Sequence, residues 1–174
     1  MACSLAAGAQ SASVRPARWA TSRKRRAFVW AFEECQLDFL RLALGVSFLS
    51  AVGDRFGLTG AFGQPNVAWG DFGHFIAYTA KLNWFVPAQM IPALAWAATC
   101  AETVLGVALI VGVLTRTAAW LSGLLLLLFA LSMTSALGVK SPLNASVFSA
   151  SAGAFVLAAC TDFPWSIDSL RHKR

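Results

Sequence analysis

Apolar positions along the chain come in long uninterrupted blocks, not in the alternation of a half-buried strand. Four blocks stand out: about 37–52, containing Arg41; about 88–114, containing Glu102; about 117–137, with the run SGLLLLLFAL and no charge; and about 143–160, rich in Ala, Ser and Gly. A helix rises about 1.5 Å per residue and the hydrocarbon core of a bilayer is about 30 Å thick, so about 20 apolar residues cross it. The first and fourth blocks are short for a full crossing, and their ends are fixed only to within several residues. The pattern predicts an all-α, polytopic membrane protein: a four-transmembrane-helix up-down bundle.

The connection between the first two blocks, about 53–87, is the longest and differs from the others. It holds Asp54, Arg55, Asp71, His74 and Lys81 among Phe56, Phe62, Trp69, Phe72, Phe75, Tyr78, Trp84 and Phe85. Phe72, Phe75, Ile76 and Leu82 follow roughly helical spacing, with Pro65 and Asn66 before them and Pro87 after. This predicts a short amphipathic helix in the first external loop, lying at the interface as an anchor or dipping inward as a lid over a cavity between the first two spans.

Composition strengthens the membrane reading. The 174 residues are 57% hydrophobic and 13% charged, with a mean hydropathy of +0.63, whereas soluble domains are about 25% charged. The net charge of +6 does not point to nucleic acid, because its distribution follows the spans. Arg15, Arg18, Arg23, Lys24, Arg25 and Arg26 precede the first span, Arg116 lies between the second and third, and Arg171, Lys173 and Arg174 follow the fourth. The opposite side receives Arg55, Lys81 and Lys140. Lys and Arg accumulate in the cytoplasm, so four spans place both termini there. Trp30, Trp120 and Trp165 then fall near the inner boundary, and Trp69 and Trp84 near the outer one. The expected organisation is a disordered basic tail (1–34), a transmembrane domain (35–162) and a short basic tail (163–174). The basic cluster follows a weakly polar stretch instead of preceding an apolar core, which is not the order of a secretory signal.

Glu102 is the most informative single residue. A carboxylate at mid-membrane costs at least a few kcal/mol, so it needs a partner, a cavity or a proton. Leu94, Ala98, Glu102 and Gly106 form one helical stripe, and the small residues flanking the carboxylate allow a neighbouring helix to come close. Arg41 with Gly45, and Ser146, Ala150 and Gly153, make similar faces on the first and fourth spans; the third span is the best candidate for lipid exposure. Arg41 is a candidate partner, but counting along antiparallel helices leaves an axial gap of about 12 Å at about 1.5 Å per residue. Glu102 is thus either a register-fixing clip or a group that handles protons or ligands, for example at a quinone carbonyl.

The runs RLALGVSFLSAVGDRFG and PALAWAATCAETVLGVALIVGVLTRTAAW, with Ala101, Glu102, Gly106, Leu109, Gly112, Thr115 and Arg116 at set spacing, resemble the DoxX family over residues 37–160. The resemblance implies a multi-pass protein of the bacterial inner membrane linked to oxidoreductase systems. Where relatives commonly carry a Lys, this chain has Asp54–Arg55 after Gly53. Under that reading Glu102 and Arg41 are the catalytic candidates. Asp54 and His74 in the aromatic loop, and Arg116 at the end of the motif, are the cofactor-binding candidates.

The remaining chemistry is sparse. His74 and His172 are expected on opposite sides of the membrane and cannot share a haem or metal. Cys3, Cys35, Cys100 and Cys160 show no C-x-x-C spacing and read as free thiols, and no metal site is expected. No phosphate-cradling Gly loop or hydrolase triad is present. Two functions of different kinds follow. One is a membrane subunit of a quinone-linked oxidoreductase, with quinone or a redox partner protein carrying the electrons. The other is a non-catalytic anchor or assembly factor, in which the same residues only lock the bundle. The expected partners are the lipid bilayer and a redox partner protein or a homo-oligomer, with no nucleic acid; substrate translocation is a third role, open to a four-span chain only as an oligomer.

Overall fold

A computed structural model describes residues 18–160, with side chains from Cys35 onward. The chain divides into an amino-terminal unit, residues 1–33, and a second unit, residues 34–174. Within the first unit the described residues are helical from Arg18. Helix α1, Arg18–Arg55, thus takes in the second half of the stretch expected to be a tail. Arg15 and the segment 161–174, with Trp165, Arg171, Lys173 and Arg174, lie outside the described residues.

The second unit begins with the apolar part of α1, Cys35–Arg55. It continues through α2 (Phe72–Leu82), a 3₁₀ turn (Ala88–Met90), α3 (Ile91–Val111), α4 (Thr115–Leu137), α5 (Lys140–Asn144) and α6 (Val147–Ala159). No strand occurs among the described residues. Three segments are long and apolar enough to cross a membrane: Cys35–Arg55, Ala88–Val111 and Thr115–Leu137.

Two glycines set where α1 and α3 stop. Gly57 has φ +74°, and the Leu58 N–H donates to the Gly53 carbonyl (3.0 Å) while the Gly57 N–H donates to that of Asp54 (3.1 Å). This is a left-handed cap that satisfies carbonyls otherwise orphaned at the helix end. Gly112 closes α3 in the same way, with φ +74° and both its own N–H and that of Val113 donating to Ala108. The chain then reverses directly into α4, which makes α3 and α4 antiparallel neighbours.

The fourth apolar block is not one continuous helix, so three of the four expected spans are found as single long helices. Ser146 takes a left-handed φ of +55° and divides it into α5 and the 13-residue α6. At about 1.5 Å per residue neither piece alone crosses about 30 Å of hydrocarbon. The two-piece arm nevertheless runs back along α4. The Ser151 hydroxyl donates to the Gly123 carbonyl (2.8 Å), Phe155 packs edge-on to Trp120, and Leu157 and Ala158 join Ala118 and Ala119 in the core. The arm therefore returns to the end of the bundle where α4 begins.

Helices α1 and α3 cross at Gly45 and Gly106. A Cβ on Gly45 would lie 2.9 Å from the Gly106 carbonyl oxygen, and one on Gly106 would lie 3.1 Å from that of Gly45. The small-residue stripes expected on these spans are thus the crossing point. Below it the core is built from Leu44, Phe48, Leu105 and Leu109 with Ala118, Ala119, Ala154, Leu157 and Ala158. Helix α4 has the smallest buried share of the three spans, 17% against 28% and 33%, as its lipid-facing assignment requires.

Helix α2 packs against α3 and α4, with Phe75, Thr79 and Leu82 buried. Asp71 caps it by accepting from the His74 N–H (2.9 Å), satisfying one of the free donors of the first turn. Its apolar face covers protein, as a lid would.

Candidate functional site

Arg55 and Glu102 form the centre of the half of the bundle where α1 ends and α3 begins. Arg55 Nη2 lies 2.7 Å from both carboxylate oxygens of Glu102, and Nη1 donates to the Thr99 hydroxyl at 2.8 Å. Arg55 is 2% exposed and Glu102 1%. The guanidinium also lies over the Phe75 ring, 3.7 Å from its centroid, and 5.3 Å from that of Trp69. An ion pair held this far from water depends on nearby groups to meet its remaining donors and acceptors. Thr99, one turn before Glu102 on the same face of α3, supplies one such acceptor.

Arg41 does not reach Glu102. It is buried at the opposite end of the α1–α3 contact, where Nη1 donates to the Leu109 carbonyl (3.1 Å) and Nη2 pairs with Asp38 at 3.1 Å. From the Gly45–Gly106 crossing, Arg41 lies about 6 Å toward one end and Glu102 about 6 Å toward the other, at about 1.5 Å per residue. Side chains lean toward the N-terminus of their own helix, so on antiparallel helices Arg41 and Glu102 lean apart. Arg55 lies about 15 Å beyond the crossing on the Glu102 side. Its side chain leans back toward the crossing as that of Glu102 leans away from it, and the two meet.

The three cofactor-binding candidates lie outside this centre. Asp54 is buried and organises the loop: it accepts from the backbone N–H groups of Ala68 (3.0 Å) and Trp69 (2.8 Å) and from the Thr59 hydroxyl. His74 is exposed, with Nδ1 2.6 Å from Asp71 Oδ2 and its ring stacked on Phe62 at 3.9 Å. The backbone N–H and then the imidazole of His74 hold the Asp71 carboxyl below the ordinary carboxylate value. Arg116 is exposed at the start of α4, at the other end of the bundle.

Beside the ion pair lies a cavity of about 810 Å³, within the range of small-molecule sites. Arg55 and Glu102 form part of its wall; α2 contributes Phe75, Tyr78, Thr79 and Leu82, the loop Trp69, and α4 Phe129 and Ser132. Asn83 joins the wall, donating to the Thr79 carbonyl (3.0 Å) and accepting from Ser132 (3.4 Å). Burial raises the Tyr78 phenol above its ordinary value, so it stays a protonated donor. Of the five candidate residues, only Glu102 borders this space. Arg55, Tyr78 and Asn83 were missed. The available signal for Arg55 was its position one helical end away from Glu102 on the span expected to pack against it.

Among the described residues no group of three or more His, Cys, Asp or Glu side chains could hold a metal. Cys35, Cys100 and Cys160 are free thiols.

Comparison with known proteins matches residues 25–157 to the family model described as Methylamine utilisation protein MauE. This corrects the DoxX resemblance, because the match is to a different membrane family. Small residues around an intramembrane carboxylate are what any closely crossed helix pair with a buried ion pair requires, so that motif does not separate such families. No curated protein matches, and no solved structure matches.

Proposed function

The chain belongs to the MauE family of membrane proteins, and on that premise we propose that it is a membrane-embedded accessory protein of methylamine utilisation, acting with a partner protein. The observation that carries this reading is the mutual engagement of Arg55 and Glu102 through the terminal nitrogens of the guanidinium. Each group is engaged by the other, and Thr99 takes a further donor, as expected of a lock that holds α1 on α3. The arm α5–α6 returns to the end where α4 begins. With the basic residues at 15–26 and 171–174, this supports an inner-membrane orientation with both termini cytoplasmic and the aromatic loop outside.

The cavity next to the pair favours a second reading, a subunit of a quinone-linked oxidoreductase in which Glu102 and Arg55 polarise the bound head. One experiment separates the two. The gene is deleted in the host, and growth on methylamine is restored with wild type or with Arg55→Met/Glu102→Met, which removes both charges together. The accessory reading predicts that the double variant accumulates and restores growth. The redox reading predicts normal accumulation without growth. Normal growth of the deletion strain on methylamine would contradict both.

A further inference from the structure

We infer that the cavity is a binding site for a membrane-soluble molecule of the quinone class, whose neutral carbonyl accepts a hydrogen bond from Nε–H of Arg55. The argument rests on the cavity and its wall, and holds whether or not the chain transfers electrons.

The entrance identifies the phase from which the ligand comes. Ser47, Leu94, Ala97 and Leu128 line the cavity and are exposed, and all four sit within membrane-spanning segments. A mouth framed by such residues opens to lipid, so the occupant partitions into the bilayer.

The wall selects the head. Arg55 Nε is buried without a hydrogen-bond partner, although Nη1 and Nη2 are both engaged. A buried N–H without an acceptor is costly and uncommon in folded proteins, and this one belongs to a residue of the cavity wall. A carboxylate or phosphate head would be repelled by Glu102 as it approached. An ammonium head would be repelled by Arg55 and finds its counter-charge already taken. A neutral acceptor, a carbonyl oxygen, meets the donor without disturbing the pair. The phenol of Tyr78, kept protonated by burial, offers a second donor in the same wall. Trp69, Phe75 and Phe129 line the space, and aromatic walls suit a flat conjugated head.

The test uses the full chain in lipid nanodiscs, with decylubiquinone as probe and decanoic acid as a comparison of the same tail length bearing a charged head. Binding is read by titration calorimetry, and folding by thermal unfolding. The expected result is saturable binding of decylubiquinone that decanoic acid does not displace. Ala98→Phe, which fills the cavity, and Leu128→Trp, which blocks the exposed rim and needs no room inside the bundle, should each weaken binding at least tenfold without changing the unfolding temperature of the rim variant. Absence of binding to the folded wild type, equal binding by the rim variant, or displacement by decanoic acid at equal concentration would each overturn the inference. The growth experiment above is independent, so failure here leaves the accessory role standing.

Discussion

Arg55 carries several contacts through one planar group: two to Glu102, one to Thr99 and one face on Phe75. Removing the charge from one side leaves the other buried and uncompensated. Glu102→Gln is therefore expected to lower stability by about 3–5 kcal/mol, the usual result of breaking a buried pair, measured as thermal unfolding in detergent; a change within error of zero would mean that the pair is not a lock. Glu102 was legible from the sequence, because an ionisable group in 24 apolar residues has no bland environment. Its partner was not. Counting axial rise alone left Arg41 as the candidate and passed over Arg55, since Arg55 lies at a helix end. The deciding fact is the direction in which side chains lean on antiparallel helices, and that becomes usable only once the Gly45–Gly106 crossing fixes the relative height of α1 and α3.

At the scale of single elements, two contacts are open to test. The α1–α3 crossing leaves no room for a side chain, because the atoms facing Gly45 and Gly106 include each other's backbone oxygens. Gly106→Val is expected to cost about 1–3 kcal/mol by overpacking, read as a lower unfolding temperature and lower accumulation; tolerance without loss would argue against the crossing. Helix α2 depends on its cap. The folded pKa of Asp71 lies below the ordinary 3.8, so its contribution is complete above the ordinary value and is lost as pH falls through the lowered one. The protection of α2 amides, taken as exchange relative to the intrinsic rate at each pH, should thus hold at about pH 5 and fall below pH 3.8, and Asp71→Ala should remove this loss. The existence of α2 was legible from the spacing of Phe72, Phe75, Ile76 and Leu82, whereas its seat against α3 and α4 was not, because an amphipathic face fits a lipid surface as well as a protein one. The break at Ser146 left no sequence signal strong enough to read: a left-handed serine is set by its surroundings, not by its own preference.

For the whole molecule, the membrane class was evident from apolar blocks and charge placement, and three of the four blocks appear as spans. The family was not legible, because spacing around a buried carboxylate reports close helix packing and not ancestry. Orientation is open to direct labelling. In a background lacking other cysteines, Ala77→Cys on the exposed side of α2 should react with a membrane-impermeant maleimide added outside intact cells. Cys35, retained alone, should react only after permeabilisation; the reverse pattern would invert the topology. The central claim is that Arg55 and Glu102 act as one unit on which the half of the bundle joining the end of α1 to the start of α3 is built. A double-mutant cycle of Arg55→Met, Glu102→Met and the combined variant, followed by thermal unfolding of the purified full chain, tests it most directly. Each single substitution should lower the unfolding temperature sharply and the combined variant should recover most of the loss, whereas strictly additive losses would show that the two residues are not coupled.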